Sequence, residues 1–332
     1  MKNLTKIDTV AVYLNRDCPR KCPQCGISDS SKKSLGFEEW KDVFQIINDS
    51  YGTKFFLVLG VEPLLLGEDF VKLVKWWNDN SYFYGLYSTS PKNLFDKYKY
   101  KLLDAGVNNW SCGIDSMPGF PKDMTLKKTL DGMSGMKWMD SHGVQCVTVT
   151  TMTNYNLSYV SEIIRWCHEE LPNSMNCFNP IEWSQDETYD FFSSSESISN
   201  LLIPSSRKWE VKLVCEQVRK FCYIMGWQIQ NVESFLTLLP DYFDKLNYPC
   251  HGSVGMGIDA DGSIRRCGYN KGRLTYSIWD VPKKADEIYT SWKKDVESCT
   301  GCFWNYIFML EEDYESVIPM SKFFKKRWGC HD

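Results

Sequence analysis

Long apolar runs are missing from this chain. No stretch approaches the ~20 residues that a membrane-spanning helix needs. The opening MKNLTKIDTVAVYLNRDC has neither the apolar core nor the small-residue cleavage site of an export signal. Both absences predict a cytoplasmic protein with no membrane partner. A positive excess is missing too: 38 Lys and Arg stand against 42 Asp and Glu, for a formal net charge of −4. A nucleic acid is therefore not an expected partner. Histidine is scarce, with 4 in 332 residues, and these four are spread too widely to outline a metal site. Internal repeats are absent. The only biased tract is SQDETYDFFSSSESISNLLIPS, residues 184–205, which reads as a loop.

Cysteine is abundant, with 14 in the chain. Without export, disulfides are not the expected use, which leaves metal ligation and buried thiols acting as small hydrophobes. Seven cysteines form two sets: Cys18, Cys22 and Cys25, then Cys250, Cys267, Cys299 and Cys302. The scattered remainder (Cys112, Cys146, Cys167, Cys177, Cys215, Cys222 and Cys330) reads chiefly as packing residues.

The first half alternates. Apolar stretches such as TVAVYLN (9–15), KFFLVLG (54–60) and VQCVTVTTM (144–152) read as strands. Between them, GFEEWKDVFQIINDS (36–50), EDFVKLVKWWNDN (68–80) and similar segments carry apolar residues at helical spacing. Six strands alternating with helices up to residue 183 predict a parallel sheet with helical crossovers, as in a β/α barrel or partial barrel; pattern alone also allows a doubly wound sheet. After the serine-rich loop a long helix is expected at 206–227 and another at 232–246. MGIDADGSIRRCGY, with Asp261-Gly262 at its centre, predicts a hairpin.

The front set lies in CPRKCPQC, residues 18–25, directly after the first strand. Parallel α/β sheets place their chemistry at that end of a strand. A closed structural zinc site takes four ligands. Three thiolates on a 4Fe–4S cube instead leave one iron open to a small molecule.

CPRKCPQC resembles the cluster loop of the radical S-adenosylmethionine (SAM) enzymes, C-x3-C-x2-C, with Gln24 where an aromatic usually stands. The end of the second strand, LGVEPLL (59–65), resembles the family's Gly-Gly-Glu-Pro turn, with Val61 in place of one glycine. In the family that turn holds the SAM amino group, which implies a cofactor-binding role for Gly60, Val61, Glu62 and Pro63. WSCGIDS (110–116) is similar to the family's fourth-strand region and implies Ser111 and Asp115 near SAM. TVTTMTNYNLSYV (148–160) is similar to the fifth strand and its exit, and brings in Thr148 and Thr150. Each has a plainer reading: a capped strand end for Glu62, a stabilised strand exit for Ser111 and Asp115, and β-branched strand formers for Thr148 and Thr150.

The second set resembles the auxiliary-cluster (SPASM or twitch) domains that follow such barrels; its four cysteines match the shorter, one-cluster form. Structural zinc is the competing reading for this set. The resemblance thus implies a (β/α)6 partial TIM barrel over 1–183, a loop and linking helices over 184–247, and a hairpin-and-helix auxiliary-cluster domain over 248–332. It implies SAM, a 4Fe–4S cluster on Cys18, Cys22 and Cys25, and an auxiliary 4Fe–4S cluster on Cys250, Cys267, Cys299 and Cys302. A reducing partner such as flavodoxin or ferredoxin follows. Cys222 and Cys330 are candidate hydrogen-atom donors, with packing as the alternative.

The expected reaction is reductive SAM cleavage followed by hydrogen abstraction, with a peptide as the first-choice substrate for epimerisation or crosslinking. Oxidation or rearrangement of a small molecule such as a sugar alcohol is the second choice. A zinc-binding protein without catalysis is the third. The short lead before the first strand argues against a fused N-terminal peptide-recognition domain, while the richness in aromatics favours a peptide.

Overall fold

The computed structural model describes residues 7, 9–20, 22–25, 33–53, 55–59, 61–120, 125–181, 200–243, 255–267 and 273–298. The chain divides into two compact units. The first comprises 1–110, 184–194 and 250–299, and the second 111–183, 195–249 and 300–332.

The first unit is built on one sheet of six strands. β1 (Thr9–Val12) pairs in parallel with β2 (Phe55–Val58), and β2 with β3 (Phe83–Leu86). On its other side β1 pairs in parallel with β7 (Met256–Ile258), in the register Val10 to Met256. The expected hairpin follows: β7 runs antiparallel to β8 (Ser263–Arg265), and β8 to β9 (Arg273–Ser277). Gly262, at φ +78°, makes its turn. The hairpin, expected in a separate C-terminal region, thus continues the sheet of the first half. Gly255 has φ +70°, and a Cβ there would collide with Thr9 O; a Cβ on Gly257 would lie 2.5 Å from Cys267 O. Side chains at these two places would push β7 off β1 and off the strand that leads to Cys267.

α1 (Phe37–Tyr51) and α2 (Glu68–Asp79) cover this sheet, with α3 (Lys92–Asp104) beside α2. α1 buries Trp40, Val43, Phe44, Ile47 and Tyr51, a 3.6-residue stripe. Glu38 and Glu39 occupy its first turn, where the helix dipole favours anions, and Gly52 closes it in the left-handed region. Phe44 meets Phe56 of β2 edge-on at 4.6 Å and Trp77 of α2 at 5.2 Å, so strand and helices share one aromatic core.

The second unit holds a three-stranded sheet in the order β4 (Asn109–Gly113), β5 (Gln145–Met152), β6 (Met175–Pro180). α4 (Leu126–Ser141) and α5 (Val160–Glu170) lie in its crossovers. α6 (Lys208–Tyr223) and α7 (Glu233–Tyr242) follow as a packed pair. Beyond β6 the Asn231 side chain bonds both Phe178 N (2.9 Å) and Phe178 O (2.7 Å), and so fixes the 228–231 segment along the strand. Back in the first unit, α8 (Val281–Glu297) follows β9 and packs on α1. Among the described residues no helix is long and apolar enough to cross a membrane.

Candidate active site

The front loop leaves β1 through four buried residues, Tyr13, Leu14, Asn15 and Arg16. Asn15 turns its side chain to both sides. Its Nδ2 donates to Glu62 O at 2.8 Å, and its Oδ1 accepts from Asp17 N at 3.1 Å. Asp17 O in turn accepts from Glu62 N at 3.1 Å. The base of the cysteine loop and the Glu-Pro turn are thereby laced together at the C-terminal ends of adjacent strands β1 and β2. Within the loop, Cys18 N donates to Asp17 Oδ1 (2.8 Å), Arg20 N donates to Cys18 Sγ (3.4 Å), and Cys25 N donates to Cys22 O (3.0 Å).

Burial pushes the Cys18 thiol up to about 12, with Glu62, Cys22 and Cys25 adding to the effect and the Arg20 N–H opposing it. Cys18 therefore feels both Cys22 and Cys25. An N–H bond to its sulfur is of the kind that supports a metal-bound thiolate. Among the described residues no group of three or more Cys, His, Asp or Glu side chains is gathered as a ready-made site for a metal ion.

Glu62 is fully buried at the N-cap of a short 3-10 turn, Pro63–Leu66. Its carboxylate accepts from Leu64 N (3.1 Å), Ser88 Oγ (2.8 Å), Thr89 N (2.8 Å) and Thr89 Oγ1 (2.7 Å). Burial raises its pKa, and these donors counter the rise. The role is architectural: Glu62 ties the turn after β2 to the loop after β3. Val61, where the family motif has glycine, has φ +50°. A β-branched residue there is strained, so this turn is held open by its surroundings.

Arg16 lies 4.0 Å from the centroid of the Tyr13 ring, and its Nε donates to Asp259 Oδ1 at 2.6 Å. Arg265 of β8 reaches the other carboxylate oxygen at 3.6 Å. All three charged side chains are at most 2% exposed. Cys267 follows two residues on. Its segment is pinned to the last turns of α8: Trp292 Nε1 donates to Arg266 O (2.6 Å), and Arg266 makes a two-pronged bond to Asp295 (2.6 and 2.7 Å). In sequence, Cys299 stands two residues beyond the end of α8.

In the second unit, Asp115 Oδ1 accepts from Thr151 N (2.8 Å), and its Oδ2 pairs with Lys128 Nζ (2.5 Å). Asn156 Nδ2 bonds both Asp115 O (3.1 Å) and Thr151 O (2.9 Å), so the exits of β4 and β5 form one buried polar knot. Ser111 is buried on β4. Thr148 and Thr150 occupy the fully buried face of β5. Thr148 bonds Asn176 Oδ1 (2.6 Å) and faces Cys167 of α5, while Thr150 bonds Ile114 O (2.8 Å). Val149 and Thr151 take the opposite, half-buried face. Cys222 is buried on α6 near Phe221, and burial, with Glu233 adding, pushes its thiol up to about 12. Gly60, Cys250, Cys299, Cys302 and Cys330 lie outside the described residues.

The sequence reading missed Asn15, Arg16, Asp259, Arg265 and Lys128. The first two sit in NRDC, where loop polarity hides burial, and Asp259 and Arg265 look like exposed hairpin residues. A usable signal was there: two arginines adjoin the two cysteine sets.

No family model and no curated protein matches the chain. Solved structures do. SuiB of Streptococcus suis superposes with a TM-score of 0.56 at 14% identity, over 78% of this chain and 60% of SuiB. SuiB bound to precursor peptide SuiA gives 0.59 at 13%, over 84% and 64%. The chain thus spans about 60% of the length of SuiB. Native anSMEcpe with bound AdoMet and the Kp18Cys peptide gives 0.57 at 16%, over 96% of this chain and 99% of that one. The fold is that of the radical SAM enzymes. It is α/β, with parallel sheets and helices in the partial TIM-barrel class of these radical SAM structures. At such identities the likeness establishes the radical SAM fold and leaves the chemistry to the residues.

Proposed function

We propose that this protein is a radical SAM enzyme acting on a peptide. The observation that carries the reading is the lacing of the cysteine loop to the buried Glu62 turn through Asn15 and Asp17. Cys18, Cys22 and Cys25 would hold a 4Fe–4S cluster, and the open iron would take the SAM amino and carboxylate groups. When bound and reduced, the cluster supplies the electron that cleaves SAM to methionine and a 5′-deoxyadenosyl radical. Glu62 holds the turn, with Val61 and Pro63, in the shape that presents main-chain oxygens to the SAM amino group. Ser111 and Asp115 are proposed SAM contacts at the β4 exit, with Lys128 holding the Asp115 carboxylate in place. On β5, Thr151 and Val149 are better exposed to a ligand than Thr148 and Thr150.

An auxiliary 4Fe–4S cluster on Cys250, Cys267, Cys299 and Cys302 belongs to the same proposal. The pinning of Cys267's neighbours to α8 supports it, because that helix leads directly to Cys299. A peptide is preferred over a small molecule because SuiB and anSMEcpe have been solved with peptides bound. A flavodoxin- or ferredoxin-type protein would deliver the electron. The test is anaerobic incubation with SAM and dithionite, followed by chromatography for 5′-deoxyadenosine. Production by the wild type and none by Cys22→Ala is expected. Colourless, zinc-loaded protein would end the proposal in favour of a scaffold.

A further inference from the structure

Two guanidiniums, Arg16 and Arg265, share one carboxylate, Asp259, and all three are cut off from water. Two cations and one anion stand here in a low-dielectric place, where each charge is costly unless it is well paired. Arg16 Nη2 is also buried with no hydrogen-bond partner. Leaving a charged donor unpaired costs more than leaving a neutral one, so the atom points to an acceptor still to come.

The surroundings say which acceptor. Arg16 lies two residues before Cys18, and Arg265 two residues before Cys267. Both guanidiniums lie over the Tyr13 ring, at 4.0 and 5.7 Å from its centroid. The Tyr13 hydroxyl is raised well above the phenol range, first by burial, with Arg16 opposing and with Cys267, Asp259 and Cys25 adding. One phenol therefore feels a thiol of the front loop and a thiol of the hairpin at once. Arg16 and Arg265 thus lie against the ring whose hydroxyl feels Cys25 and Cys267.

The geometry points to the Arg16–Asp259–Arg265 group as a built-in countercharge for iron–sulfur clusters on the two flanking cysteine sets, with Arg16 Nη2 donating to cluster or thiolate sulfur. The inference rests on the radical SAM reading above. A 4Fe–4S cube on three thiolates is anionic and gains a further negative charge on reduction. Nearby positive charge and hydrogen bonds to sulfur favour the reduced form and raise the potential. Arginine suits the task because it stays charged when buried.

The test is potentiometric EPR titration of the reconstituted protein, following the reduced-cluster signal that changes when SAM is added. Iron and sulfide are assayed in parallel. Arg16→Gln removes a positive charge and should shift the midpoint to more negative potential. Asp259→Asn removes the negative charge and should shift it the other way. Arg16→Lys, which keeps the charge, should move it less than Arg16→Gln. Opposite shifts support the countercharge; unchanged midpoints, or shifts of the same sign, overturn it. If Arg16→Gln fails to take up iron, Asp259→Asn decides alone by the sign of its shift. A wild type that binds no iron defeats the enzyme proposal itself, a result distinct from a loaded protein with an unmoved midpoint.

Discussion

The side-chain amide of Asn15 donates to the main-chain oxygen of Glu62 at 2.8 Å, across 47 residues of sequence. This bond couples the loop that would hold iron to the turn that would hold SAM. Asn15→Ala leaves the Glu62 carbonyl and Asp17 N–H without this partner, at about 1–3 kcal/mol. Weakened SAM binding is expected alongside retained iron. Equilibrium dialysis with labelled SAM checks this, and unchanged affinity would show the bond to be scaffolding only.

Val61 is strained at φ +50° yet buried. Val61→Gly relieves about 1–2 kcal/mol of left-handed strain and gives up roughly 1.5–3 kcal/mol of side-chain burial. The two nearly cancel, so a net loss near 1 kcal/mol is expected where an unstrained buried valine would lose more. Urea denaturation measures the difference. A loss above about 3 kcal/mol would mean that the strain is not relieved.

Cys267→Ala should lower iron from about eight to about four atoms per chain and leave the SAM-sensitive EPR signal in place. Asp295→Ala breaks the two-pronged bond to Arg266. It should reduce the occupancy of the second cluster while sparing the first. Full iron in Cys267→Ala would remove that residue from the ligand set.

His168 stacks on Trp227 at 4.2 Å, and burial holds its ring below the ordinary histidine range, with Glu169 opposing. The unfolded chain takes this proton more readily than the folded one. Stability is therefore intact above the ordinary value, about 6.5, and is lost as pH falls through it toward the lower folded value. Thermal melts from about pH 8 to about pH 5 should show the decline, and His168→Gln should flatten it. An identical slope in the variant would assign the decline to other groups.

The parallel α/β plan was readable because strands such as 144–152 and helices such as 36–50 carry their periods plainly. Helix ends were less so: 206–227 shortened to Lys208–Tyr223, because Ile224, Met225 and Gly226 follow the last helical turn. The Glu62 turn was found by motif, but its support by Ser88 and Thr89 was not, since nothing local links residues 26 and 27 positions apart. The pairing of β1 with β7 escaped for the same reason. Short strands of Val, Ala, Met and Gly announce burial and say nothing of their neighbour. Thr148 and Thr150 were correctly put on one face, but period two cannot tell which face the helices cover.

The partner of β1 on one edge is made more than 240 residues later, and Asp259 reaches Arg16 across 243 positions. During synthesis the cysteine loop therefore emerges long before the strand that steadies its base. A nascent chain can pair β1 with β2 early, but the hairpin docks only when most of the polypeptide has left the ribosome. A chain truncated ahead of residue 255 would leave that edge of β1 unpaired and Arg16 without Asp259.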